Sequence, residues 1–251
     1  MGSCRWGKIV AVSAIVAALV AAREAGAAAE VHRFNLVLSA TPTQVDGGDF
    51  NTTIDFINRT ALEPRGLEGL KRVTFAWLFD AQLSYFVRQN MALRFGVGQI
   101  RAKSDREYLP TLNAAVQLHN EMLSVPVSVG GAYYLAPYNQ GDFQARAYLG
   151  VGVVSMVYNR VVFQQEVQGI PDVPTVFSVG TADSPGYYAE TGAHMFFASR
   201  FSVLLGVQYR SAKIRHIADA TTGIPFRAPN GDPYTLDLSG LGAKFAVGIG
   251  L

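Results

Sequence analysis

The sequence predicts an all-β fold: a single eight-stranded antiparallel up-and-down barrel that spans a membrane. Three observations carry the prediction. Apolar residues recur at every second position in runs longer than a soluble sheet uses. The connections between these runs alternate between short and long. A secretory leader stands at the N-terminus.

The clearest run covers residues 74–97. Phe75, Trp77, Phe79, Ala81, Leu83, Tyr85 and Val87 occupy alternate positions, against Thr74, Ala76, Asp80, Gln82 and Ser84, with Leu78 interrupting the second face. After Arg88, Gln89 and Asn90 the pattern restarts with Met91, Leu93, Phe95 and Val97. A period of two is a strand with one apolar and one polar or small face. Two such strands joined by a few polar residues are a hairpin. Strands in soluble sheets average five or six residues. About fourteen residues at ~3.3 Å each reach about 45 Å, enough to cross a bilayer.

The other strands follow in order. The first fits residues 32–42, with Phe34, Leu36, Leu38 and Ala40 on one face. The fourth spans 123–135, where Val125, Val127, Val129, Tyr133 and Leu135 oppose Ser124, Pro126, Ser128, Gly130 and Ala132. The fifth, 144–158, sets Ala147, Leu149, Val151, Val153 and Val157 against Arg146, Gly150 and Gly152. In the sixth, 186–197, Tyr187, Ala189, Thr191, Ala193, Met195 and Phe197 face away from Glu190, Gly192 and His194. The seventh, 201–210, opposes Phe201, Val203, Leu205, Val207 and Tyr209 to Ser202, Gly206, Gln208 and Arg210. The eighth, 240–251, alternates Leu241, Ala243, Phe245, Val247, Ile249 and Leu251 with glycines, Lys244 and Ala246.

The links after the second, fourth and sixth strands are short, at 88–90, 136–143 and 198–200. Those after the first, third, fifth and seventh are expected to run to about twenty residues or more. This is the asymmetry of outer-membrane barrels, with short periplasmic turns and longer extracellular loops. An even strand count then places both termini in the periplasm. The apolar faces suit lipid, while the Gly, Ser and Ala of the opposite faces suit the narrow lumen of an eight-stranded barrel. Tyr85, Tyr133, Tyr158, Tyr187 and Tyr209 lie near strand ends, where an interfacial aromatic girdle belongs. The first long link also holds apolar residues at helical spacing, Phe50, Ile54, Ile57 and Ala61, behind a capping Asp49. A short amphipathic helix there covers the barrel mouth, meets a partner, or packs among the loops.

Arg5 and Lys8 precede an apolar run over 9–22, followed by Ala25, Gly26, Ala27, Ala28 and Ala29. This is the layout of a signal peptide, giving a cleaved leader over 1–29 and a barrel domain over 30–251. The apolar run is short for a spanning helix, which needs ~20 residues. Cys4, the single cysteine, leaves with the leader, so the mature chain has no thiol chemistry. Loss of Arg5, Lys8, Arg23 and Glu24 takes the 21 Lys+Arg and 19 Asp+Glu to equal numbers, a net charge of zero. No basic patch points to nucleic acid. Without a second apolar stretch of helical length, a membrane crossing requires a closed barrel, because lipid leaves no backbone group unsatisfied.

Three segments resemble the small outer-membrane β-barrel family, the group of OmpA-type transmembrane domains and OmpX-like proteins. Ser124-Val-Pro-Val-Ser-Val-Gly-Gly-Ala-Tyr-Tyr is similar to one strand of that family, Tyr148-Leu-Gly-Val-Gly-Val to the next, and Asp237-Leu-Ser-Gly-Leu with the terminal alternating run to its closing strand. The likeness covers residues 32–251. It implies an eight-stranded barrel of a Gram-negative-type outer membrane. Members commonly end in Phe or Trp, which the assembly machinery reads; this chain ends in Leu251.

The inward positions collect Asp80, Arg94, Arg146, Glu190, His194, Arg210 and Lys244. Mixed signs imply mutual pairing, since an unpaired charge in a tight interior is costly. The cluster reads as a structural plug or as an ion-conducting or gating network. Glu190 and His194 share a face four residues apart, ~13 Å along a strand, too far for direct acid–base coupling. A hydrolase needs a serine brought to His194 from another strand. His32, His119 and His216 lack metal spacing, and Gly96-Val-Gly and Gly150-Val-Gly lack the strand–loop–helix setting of phosphate loops. The expectation is a structural or surface-interaction protein, non-enzymatic and monomeric. No cofactor is expected. Its partners are outer-membrane lipid and whatever its extracellular loops meet. A narrow porin-like channel and a lipid-modifying enzyme are the alternatives.

Overall fold

A computed structural model describes residues 32–111, 114–167, 176–180, 184–197, 200–215, 217–219 and 222–251. The leader and its cleavage site lie outside them. Eight staves form the wall: β1 (Phe34–Gln44), β2 (Phe75–Arg88), β3 (Met91–Thr111), β4 (Ala114–Tyr134), β5 (Phe143–Val167), β6 (Pro185–Phe196), β7 (Phe201–Ser211) and β8 (Gly240–Gly250). Each pairs antiparallel with the next, from Leu36 opposite Leu83 onward. β8 returns to β1, with Ile249 opposite Leu36, and closes the barrel. The sheet therefore has no unpaired edge within the spanning zone, as lipid demands. All eight expected strands are present in the expected order.

The link after β3 departs from expectation. The twenty-residue loop is strand: β3 and β4 are each 21 residues long, and their ladder continues to Thr111 opposite Ala114. β5 reaches 25 residues and pairs, beyond the barrel, with the short strand Val176–Gly180. β2 last meets β3 where Trp77 faces Arg101. The ten or so residues above that point lift this sheet about 30 Å out of the wall at ~3.3 Å per residue. The alternation of long and short links thus fails at this one place. Its cause is a change of solvent. Above Trp77 the outward positions are Arg101, Lys103 and Asp105, and the inward ones Ile100, Ala102, Ser104 and Tyr108, which are buried. The apolar face has switched sides, so a search for lipid-facing alternation does not follow the strand.

The first loop forms helix α1 (Asp49–Ile57), which continues through a π-helical turn, Asn58–Leu62. Phe50 and Ile54 are fully buried. Phe50 stacks on Phe163 of β5 at 5.2 Å between ring centroids. The helix therefore covers the mouth at this end of the barrel. Asp49 is not its cap. Gly48, at φ 57°, holds that position without a side-chain bond, and a Cβ there would lie 2.8 Å from the Thr235 carbonyl oxygen. The Asp49 carboxylate instead accepts hydrogen bonds from the backbone N–H and hydroxyl of Thr235, each 2.8 Å, tying α1 to the loop before β8. Buried Asn51 donates to the carbonyls of Asp46 and Val73 and accepts from the Val73 N–H at 2.7 Å. The apolar interior beneath α1 includes Leu78, Ile100, Met122, Met156 and Leu236. Leu78, which interrupted the polar face of its strand, belongs to this upper core.

Candidate functional site in the barrel lumen

The seven charged or imidazole side chains expected inside all project from inward positions of the wall. Arg94 and Lys244 are 1% exposed and Glu190 4%. Arg94 of β3 crosses the lumen to donate to Glu190 Oε1 on β6. Lys244 Nζ of β8 reaches Glu190 Oε2 at 2.9 Å. Gly150 of β5 stands opposite Glu190 in register. A Cβ there would come within 2.9 Å of Glu190 Cγ, so the glycine makes the room this carboxylate occupies. The Arg94 guanidinium lies over the Tyr148 ring, 4.7 Å from its centroid, and its Nη2 donates to the Tyr134 hydroxyl at 2.9 Å.

Tyr134 continues the chain. Its hydroxyl lies 3.1 Å from His194 Nδ1, and His194 Nε2 lies 2.9 Å from Ser202 Oγ. Lys244, Glu190, Arg94, Tyr134, His194 and Ser202 thus form one hydrogen-bonded line through the lumen, drawn from β8, β6, β3, β4 and β7. The other three expected residues do not join it. Asp80 accepts from Ser39, its register partner on β1. Arg210 donates from Nε and Nη2 to the Leu238 carbonyl at 3.1 and 3.0 Å. Arg146 donates to the Gln89 carbonyl. Mutual pairing therefore holds for three of the charges only. Four cations face two carboxylates, and both oxygens of Glu190 are already taken. Backbone carbonyls accept hydrogen bonds from the remaining arginines.

Apolar layers enclose this polar section. At the end with the short turns Phe86 and Phe196 are buried, with Phe86 5.1 Å from the Tyr134 ring and Phe196 4.0 Å from the His194 ring. On the other side lies a cavity of about 20 Å³ bounded by Asp80, Ser128, Tyr188, Gln208 and Arg210. A space of that size admits about one water molecule. It lies where Pro126, lacking an N–H, interrupts the β3–β4 ladder between Val97–Val127 and Ile100–Ser124. Above it begins the upper core beneath α1.

The outer surface is the reverse of the lumen. Leu38, Trp77, Phe79, Phe95, Val97, Leu149, Val151, Leu205, Leu241 and Phe245 are all exposed, from six staves around the circumference. Soluble monomers rarely expose a contiguous apolar patch beyond a few hundred Å². A closed wall with an apolar belt outside and charges inside is dressed for lipid. The chain is a closed eight-stranded β-barrel with a lipid-facing exterior. The barrel matches no family model, and none of the curated proteins matches it. It is similar to solved structures of Neisserial surface protein A (11% identity, TM-score 0.44, covering 87% of this chain and 97% of that one) and of OprG from Pseudomonas aeruginosa (14%, 0.45, 88% and 97%). The N-terminal β-barrel domain of Pseudomonas aeruginosa OprF is also similar (12%, 0.35, 86% and 96%).

Tyr134 and Ser202 complete the barrel's polar line, Tyr148 lies under the Arg94 guanidinium, and none of the three was in the expected cluster. Parity is the signal that finds them. Tyr133 points to lipid at 48% exposure, so its neighbour Tyr134 must point inward. Tyr148 and Ser202 likewise fall on inward positions of β5 and β7. No metal-binding group occurs among the described residues, and His216 lies outside them.

Proposed function

We propose that this outer-membrane barrel is a structural or surface-interaction protein with no enzymatic activity, and that its extracellular sheet and loops make whatever specific contact it has. The observation that carries the reading is closure at both ends. Phe86 and Phe196 fill the periplasmic mouth, and α1 with the upper core fills the extracellular one. A narrow conduit is the second reading. The small cavity and the excess of luminal cations favour it, but a solute would have to displace two packed layers. The serine that a hydrolase requires does stand beside His194. Ser202 is, however, 1% exposed, and the far side of the imidazole meets a tyrosine hydroxyl rather than a carboxylate. A substrate has no approach to that pair. Planar-bilayer recording of the refolded protein tests the proposal: the expected trace carries no discrete conductance steps. Reproducible steps that change with Arg94→Gln would establish the conduit instead.

A further inference from the structure

The belt ends abruptly on one flank. Along β7 the outward positions read Phe201, Val203, Leu205, Val207 and Tyr209, and then Ser211. Eight residues at ~3.3 Å give about 26 Å of apolar strand, the height of a transmembrane barrel's apolar band. The next outward side chain is Lys213, on the short strand Lys213–Ile214, and exposed Arg215 follows. A groove of about 490 Å³ opens here, lined by Ser184, Tyr187, Ser211, Lys213 and Arg215. That volume lies within the ~300–1,000 Å³ of small-ligand sites.

Its composition is layered. Tyr187 is 57% exposed, opposite Ser211 in register, and offers an aromatic face at the top of the belt. Ser211 supplies a hydroxyl, while the buried Ser184 hydroxyl donates to the Lys213 carbonyl and ties the groove's two sides together. Lys213 is anchored at 3.0 Å by Asp237, yet its side chain remains 59% exposed. Arg215 makes no ion pair among the described residues. One anchored and one unengaged cation, directly above a tyrosine at the lipid boundary, stand at headgroup depth. Guanidinium and ammonium groups over an interfacial aromatic recognise anionic headgroups, and arginine suits phosphate through its planar fork of donors.

We infer that the groove between β6 and β7 holds a phosphate of the outer-leaflet glycolipid, with Arg215 and Lys213 on the phosphate and Tyr187 against the sugar or the first part of the acyl chain. This rests on the outer-membrane reading, and the test separates the two. The full chain, isolated from membranes in neutral detergent, is titrated with a bisphosphorylated glucosamine-disaccharide lipid and followed by native mass spectrometry. A heat-modifiability gel is run on every sample. The expected result is saturable binding that falls at least tenfold in Arg215→Gln and in Lys213→Gln, with Lys71→Gln unchanged, and at least tenfold weaker binding of the dephosphorylated lipid. Binding unaltered by either variant, or equal binding of the dephosphorylated lipid, would overturn the inference. So would inorganic phosphate binding as tightly as the lipid, since free phosphate would then be the ligand. A wild-type chain without heat-modifiable mobility would instead refute the barrel in the membrane.

Discussion

Glu190→Gln is the sharpest test of what holds the lumen. The substitution keeps volume and removes one charge. In the wild-type barrel that charge meets both Arg94 and Lys244, and all three groups are almost entirely buried. Removing one partner of a buried ion pair costs about 3–5 kcal/mol, mostly because the remaining charge is stranded. Here two cations are stranded, while the amide oxygen still accepts from one of them. We therefore expect a loss of about 3–5 kcal/mol, which at 1.4 kcal/mol per decade is two to three and a half decades in the folding equilibrium. The assay is urea unfolding in phosphatidylcholine vesicles, with the folded fraction read from the heat-modifiable band. The reasoning predicts a second result. Replacing Arg94, Glu190 and Lys244 together by Met, Leu and Met should restore most of the stability, because a buried charge cluster exchanged for packed apolar groups is often neutral or stabilising. If Glu190→Gln unfolds within about 0.5 kcal/mol of wild type, the ordinary range for inconsequential surface changes, the network is not a determinant of the fold.

Asn51→Ala should release α1 without unfolding the wall, since three hydrogen bonds, two of them buried, converge on that amide; trypsin should then cut at Arg59 or Arg65 while the barrel stays heat-modifiable. Gly150→Ala should destabilise the barrel by about 1–3 kcal/mol, the usual cost of overpacking a filled interior, because its new Cβ would meet Glu190 at 2.9 Å. Gly131→Ala, whose Cβ would find only the Ala92 carbonyl oxygen at 3.6 Å, should be close to neutral in the same urea assay. In the loop before β8, burial pushes the Asp237 carboxyl up, but hydrogen bonds from Ser239 and the nearby Lys213 ammonium outweigh it and hold the group below its ordinary value. A depressed carboxylate contributes stability that is present above the unfolded value, near 3.9, and lost as pH falls through the folded one. The Asp237 carboxyl carbon should therefore titrate below about 3.9 by NMR, and its midpoint should rise in Lys213→Gln.

Much of the barrel was legible because lipid imposes a strict rule. Where a strand crosses the bilayer, its outward side chains must be predominantly apolar, so Phe75, Trp77, Phe79 and Leu83 announce β2 without help from any neighbour. The lumen was legible by subtraction, as the polar remainder of the same alternation. Two things were not. The partner of each luminal charge depends on how eight strands are staggered around the barrel, which period two does not encode. Hence Arg94, Glu190 and Lys244 could be placed inside but not joined. The sheet above the membrane was hidden for another reason. There the outward face meets water, and Arg101, Lys103 and Asp105 read as loop chemistry although they sit on a strand.

That inversion on β3 explains how one strand serves two solvents. Below Gln99, Leu93, Phe95 and Val97 face lipid while Arg94 faces the lumen. Above it, Arg101 and Lys103 face water and pair with Glu121 of β4, Arg101 through two hydrogen bonds of 2.8 and 2.9 Å. Ile100 and Ala102 meanwhile turn toward the core beneath α1. The parity of the backbone never changes; only the medium on each side does. In lipid the outer face is apolar, so the charged groups lie inside and find their partners there, among one another or on backbone carbonyls. In water the requirement is the reverse, and the interior becomes an ordinary hydrophobic core. The closed mouth follows from the second condition. A wall that continues into water with an apolar inner face has to bury that face, and α1, with Phe50 and Ile54, covers it. The lumen is thus sealed from above by the same physics that raised the sheet beyond the wall.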